Sequence, residues 1–297
     1  MFHLLDNGHK TQQFKPSSQP RYKLFDFLFS ALIPYNLGMG ITFASTPRLF
    51  GFIHILSLFL ITFFNLFFYL WARKKTEEKL LQTLHLLGLL MLIAEVFKQW
   101  FCYIYVFDTK LNLWFFPWQL CSMAMYCSFF VTYIKNLKWQ NALLIFLTTY
   151  SLFSDLVALI LPYDMLRDQV ILTVHSFAYH GLILSEVILA LLVLKKRKKA
   201  AFLPALQFFL IVAFIAEIIN IVSHLIFNDI YVEPNMFYIS FSYPTTQPVF
   251  HEIAVQFGIF TEVIVYLSVI SLFSYLFYLL EYRFLLSGDP DHAKTDQ

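Results

Sequence analysis

The chain has 297 residues, of which 59% are hydrophobic and only 13% charged, with a net charge of +2 and 36 Phe. That is too little charge to cover the surface of a soluble domain. The near-neutral balance shows no basic groove for nucleic acid, and Cys102, Cys121 and Cys127 form neither a disulfide framework nor a zinc spacing.

In chain order, the N-terminal "MFHLLDNGHKTQQFKPSSQPRYK" is polar and lacks the basic-then-apolar order of a cleaved signal peptide. Residues 1–50 read as a polar segment that holds one weak membrane candidate, 24–44, with Asp26, Pro34, Asn36 and two Gly. It fits either a re-entrant or interfacial segment or an eighth crossing. Seven stretches then meet the requirement of about 20 mostly apolar residues for a spanning helix. They are 51–71, 80–106, 112–134, 141–161, 168–194, 201–227 and 252–282. The expectation is an all-α, polytopic helix bundle over 51–282 with a cytoplasmic tail at 283–297.

Lys and Arg set the orientation. Arg73, Lys74, Lys75 and Lys79 follow the first stretch, Lys135 and Lys138 the third, "KKRKK" (195–199) the fifth, and Arg283 the seventh. The alternate loops hold only Lys110 and Arg167. This alternation predicts a cytoplasmic C-terminus in an integral membrane protein, in the cell membrane if the source is bacterial.

Polar groups gather between the expected midplane and outer face. At a rise of ~1.5 Å per residue, Glu95 and Lys98 fall ~12–16 Å from the outer end of their span, Cys121 ~13 Å, Asp155 ~10 Å and His175 ~11 Å. His180, Glu217 and Glu262 fall ~16–18 Å down. His54, His224 and His251 sit nearer the outer surface, and Glu186 and His85 are the inner exceptions. Each has a plain reading. Glu95 and Lys98, at i,i+3, neutralise each other on one helix face. A lone membrane Cys fills space, which suits Cys102 and Cys127. A membrane His ties helices together. The aromatic runs are lipid-facing bulk.

The conjunction favours chemistry. A thiol reacts as thiolate, and an imidazole can take its proton. In "HSFAYH", His175 and His180 are five apart, about 140° around a helix, so only one can face Cys121. The other then faces a neighbour such as Glu217 or Asp155. Gln119 is a candidate donor to an oxyanion, and Pro117 a candidate break in the helix.

The series "HILSL" (54–58), "AEVFKQW" (94–100), "FPWQLCSM" (116–123), "HSFAYHG" (175–181) and "PNMFYIS" (234–240) resembles the family of transmembrane protein 164 and its bacterial YwaF-like relatives. The likeness runs from about residue 50 to about 245, and Trp118 stands where many relatives have His. The resemblance implies a six- or seven-helix membrane protein that moves acyl chains between phospholipids. Cys121 would carry the acyl group, His180 or else His175 would act as base, and Glu95 and Lys98 would line the site. No metal or organic cofactor is implied, and membrane phospholipid is the expected partner. Two further classes stand beside this one. One is a transporter or ligand-binding protein using Glu95, Lys98, Asp155, Glu217 and Glu262. The other is a structural or assembly protein.

Overall fold

The computed structural model describes residues 42–107, 112–197, 201–226 and 234–286, the last three by backbone only. The candidate segment 24–44 thus lies outside the described residues except for its last three, as does the tail from 287 on. Every element of the described chain is helical apart from one isolated bridge, Thr42–Gln169.

The helices are α1 (Phe52–Ala72), α2 (Glu77–Phe101), α3 (Ser122–Phe130), α4 (Leu137–Phe146), α5 (Leu152–Ile160), α6 (Val170–Arg197), α7 (Phe202–Ile226), α8 (Phe250–Phe257) and α9 (Ile259–Leu286). A π-helical turn, Cys102–Val106, extends α2, and another, Leu147–Ser151, joins α4 to α5. Six helices are long and apolar enough to cross a membrane: Phe52–Ala72, Glu77–Val106, Leu137–Ile160, Val170–Arg197, Phe202–Ile226 and Ile259–Arg283.

The stretch 112–134 is not among them. Its α-helix, α3, has nine residues, about 13 Å, against a hydrocarbon core of about 30 Å. Apolar composition marked this stretch as a span, but its first half is not helical. It nonetheless runs the length of α2. Gln99 donates to the Phe115 carbonyl at one end, and the His85 ring meets the Phe129 carbonyl at 2.7 Å near the other.

Local chemistry fixes the starts of α2 and α4. Thr76 caps α2 by accepting from Lys79 N at 3.3 Å, with Glu77 and Glu78 in the positive first turn. Asn136 caps α4 by accepting from Lys138 N at 3.0 Å.

The centre and the rim separate by burial. The span built from α6 is 67% buried and that from α4 and α5 61%, whereas α1 is 17% and α9 22% buried. So α6 is the central post, touching α1, α2, α3, α4 and α5. The main core lies between α3, α4, α6 and α7, where Tyr150 stacks on Phe209 at 4.4 Å and on Phe146 at 5.2 Å. Gly88 lets α2 lie directly on α3: a Cβ there would sit 2.4 Å from Phe129 N. The outward faces of α1 and α9 expose Phe59, Phe63, Phe67, Leu272 and Leu276, as lipid contact requires.

Candidate functional site

Two non-helical segments meet inside the bundle. The first is 112–121. Asn112 opens its 3-10 turn by accepting from Trp114 N at 3.0 Å. Pro117, with no N–H to give, lies in the irregular stretch that follows. Its carbonyl accepts from Tyr126 Oη at 3.1 Å, and Trp118 Nε1 donates to the Val212 carbonyl at 3.2 Å. Backbone groups that a helix would have paired are satisfied by side chains instead.

The second segment is 234–240. Phe237 and Tyr238 adopt φ of 58° and 60°, the left-handed region, at a cost of order 1–3 kcal/mol each. Two carboxamides hold it there. Gln119 Nε2 donates to the Asn235 carbonyl at 3.3 Å, and Gln119 Oε1 accepts from Phe237 N at 3.0 Å. Asn220 Nδ2 donates to the Met236 carbonyl at 3.2 Å, while its Oδ1 accepts from Met236 N at 2.6 Å. Gln119, expected as an oxyanion donor, therefore has both ends of its amide on this loop. Glu217 serves the same loop, accepting from Asn220 Nδ2 at 3.1 Å and from Phe241 N at 3.3 Å.

Cys121 ends the first segment, half-buried at the start of α3. It packs against the main core between α3, α4, α6 and α7.

The charged and imidazole groups form three sets. Glu95, buried, pairs with Lys98 Nζ at 2.7 Å and accepts from Gln99 Nε2 at 2.7 Å. His175 Nε2 meets the Ala94 carbonyl at 3.1 Å, so that nitrogen carries a proton. His180 Nδ1 lies 2.6 Å from Asp155 Oδ1, with both residues buried. The two imidazoles point to different helices, as their five-residue spacing requires, and His180 pairs with Asp155 rather than Glu217. Among the described residues no hydrogen bond joins Cys121 to either ring. Among the described residues His180 Nε2 has no hydrogen-bond partner.

The remaining candidates separate cleanly. His54, His85 and His251 bond to main-chain carbonyls of Leu159, Phe129 and Thr245. Cys102 and Cys127 are buried. Glu262 is fully buried with neither oxygen hydrogen-bonded. Among the described residues no three His, Cys, Asp or Glu side chains are grouped to hold a metal ion. The sequence reading passed over Tyr179, Tyr238 and Asn220. Tyr179 lies inside "HSFAYH" and Tyr238 inside "PNMFYIS", but an aromatic residue in a Phe-rich membrane chain carries no signal of its own. Comparison with known protein families, with curated proteins and with solved structures finds no match.

Proposed function

We propose that the chain is a multi-pass membrane enzyme that moves an acyl group from a phospholipid ester through a thioester on Cys121. The observation that carries this reading is the buried Asp155–His180 pair at 2.6 Å, in a bundle whose unwound segment ends at the half-buried Cys121. An imidazole held at Nδ1 by a carboxylate presents Nε2 as a base, which is the geometry of nucleophile activation in acyl transfer.

His180 Nε2 takes the Cys121 proton as sulfur attacks the ester carbonyl. A carbon–sulfur bond forms, the carbon–oxygen bond breaks, and His180 returns the proton to the departing lyso-lipid oxygen. A second lipid alcohol, or water, then attacks the thioester while His180 accepts its proton, and the sulfur leaves and is reprotonated. With Gln119 engaged elsewhere, the oxyanion donor is the Tyr179 hydroxyl, whose acceptor is the weak sulfur of Met125 at 3.7 Å.

On this reading 112–134 is a seventh crossing, half unwound, and the C-terminus is cytoplasmic. The unwound half faces the site because irregular backbone at membrane depth survives only inside protein. The test is incubation of the full chain in proteoliposomes with a phospholipid bearing an alkyne-tagged acyl chain. The expected product is a hydroxylamine-labile label on Cys121, absent from Cys121→Ala and slowed in Asp155→Asn. A folded protein that never acquires that label sinks the proposal.

One observation favours a second reading. Two unwound segments meeting at membrane depth also build the substrate sites of transporters. The polar set Glu95, Lys98, Asp155, Glu217 and Glu262 would then line a path. Solute flux into liposomes that survives Cys121→Ser would favour that reading over acyl transfer.

A further inference from the structure

Phe115 stands at the outer end of the unwound segment, and two cations from different parts of the chain converge on its ring. Lys98 Nζ, from the last turn of α2, lies 5.9 Å from the ring centroid. The Arg167 guanidinium, from the loop before α6, lies 5.4 Å from it. Like charges repel, and a benzene ring attracts a cation only weakly, so this convergence has to be built.

It is built. The Arg167 main chain is held at both ends by one buried hydroxyl: Thr173 Oγ1 accepts from Arg167 N at 2.9 Å and donates to Arg167 O at 3.0 Å. Arg167 Nε donates to the Asp164 carbonyl at 2.9 Å, which fixes the direction of the guanidinium. Its ion pair with Asp164 is long, at 3.6 Å. Glu95 anchors Lys98 from the other side. The two heads remain partly open, at 19% and 32% side-chain exposure.

We infer that Lys98 and Arg167 form a binding site for the phosphate of a phospholipid head group. A guanidinium offers paired donors to two phosphate oxygens, and an ammonium adds a compact second charge. Phe115 belongs to the segment that ends at Cys121, so on the acyl-transfer reading a phosphate held here leaves the glycerol esters of the same lipid toward that thiol. This assignment names the recognition element of the acyl-transfer reading and rests on it.

The test uses the full-length chain in detergent micelles and reads tryptophan fluorescence. Three probes are titrated: dihexanoyl phosphatidic acid, dihexanoylglycerol and inorganic phosphate. Phosphatidic acid is expected to bind about tenfold or more tighter than the glyceride, the effect of one or two charge-assisted bonds. Arg167→Gln removes that preference and Arg167→Lys restores part of it. Arg167 is chosen because Lys98 substitution would strand the buried Glu95 carboxylate. Equal binding of phosphatidic acid and the glyceride, or an intact preference in Arg167→Gln, overturns the proposal. Inorganic phosphate binding as tightly as the lipid probe overturns the head-group assignment in favour of a free anion. Cys121→Ala is expected to keep the full phosphate preference. Binding therefore fails or holds separately from thioester chemistry.

Discussion

His54 and His180 are both buried imidazoles, and what their second nitrogen meets separates them. His54 Nδ1 accepts from Phe50 N at 3.1 Å and Nε2 donates to the Leu159 carbonyl at 2.8 Å, so both positions serve the fold. His180 has one position on Asp155 and the other, among the described residues, without a hydrogen-bond partner. Opposite mutational signatures follow. His54→Ala leaves a buried carbonyl and a backbone N–H unpaired and should cost about 1–3 kcal/mol per group. The expected readout is a lower thermal midpoint in detergent, with Cys121 acylation intact below it. Asp155→Asn keeps the shape but removes the carboxylate that orients His180. Acylation of Cys121 should then slow by about 10²–10⁴-fold, the usual worth of a positioned base, measured as the initial rate of label incorporation. An unchanged rate would remove His180 from the mechanism. The sequence located these residues by depth, but it could not say which ring nitrogen was taken. That depends on carbonyls such as Leu159 O and Ala94 O, which every residue has.

At the scale of elements, 112–134 shows where hydropathy stops being informative. Its composition matches a spanning helix, and each of the other six apolar stretches does contain a long helix. Pro117 hinted at a break, but the unwound part is held by Tyr126 nearby and by Val212, Asn235 and Phe237 far along the chain. Helical periodicity cannot register hydrogen bonds between segments so far apart in sequence. Glycine positions test the packing directly. At Gly88 a Cβ meets Phe129 backbone at 2.4 Å, and backbone cannot step aside. Gly88→Ala should separate α2 from α3 and destabilise by about 1–3 kcal/mol. Gly258, between α8 and α9, has open space around it but φ of 88° and ψ of 155°, a conformation open almost only to glycine. Gly258→Ala should also cost about 1–3 kcal/mol, but through strain, so larger residues there should cost no more than Ala. At Gly88 the cost should climb with side-chain size. Thermal midpoints of Ala and Val variants at the two positions distinguish clash from strain.

At the scale of the molecule, one end of the bundle is drawn together by Arg197. Its Nε donates to Glu77 Oε1 at 2.7 Å, Nη1 to Asn141 Oδ1 at 2.5 Å and Nη2 to Gln140 Oε1 at 2.6 Å. Gln140 passes the link on, donating to the Val131 carbonyl at 2.8 Å. The start of α2, the end of α3, the start of α4 and the end of α6 therefore share one level. "KKRKK" enters the sequence reading only as a marker of sidedness. Its central Arg is a clamp with a side chain only 9% exposed, because these helix ends converge there and leave polar groups to satisfy. The flanking basic residues Lys75 and Lys138 adjoin this same end in sequence, while Asp164 lies beside the Lys98–Arg167 site. The positive-inside reading then makes a sharp demand. In a chain whose native Cys102, Cys121 and Cys127 are replaced by Ala, single cysteines at Lys75 and Lys138 should resist a membrane-impermeant maleimide in intact cells and react after permeabilisation. A cysteine at Asp164 should react at once. A cysteine at Lys138 reacting from the side opposite Lys75, with Asp164 on the side of Lys75, would mean that 112–134 does not cross, and that the unwound segment turns back to the side it entered from.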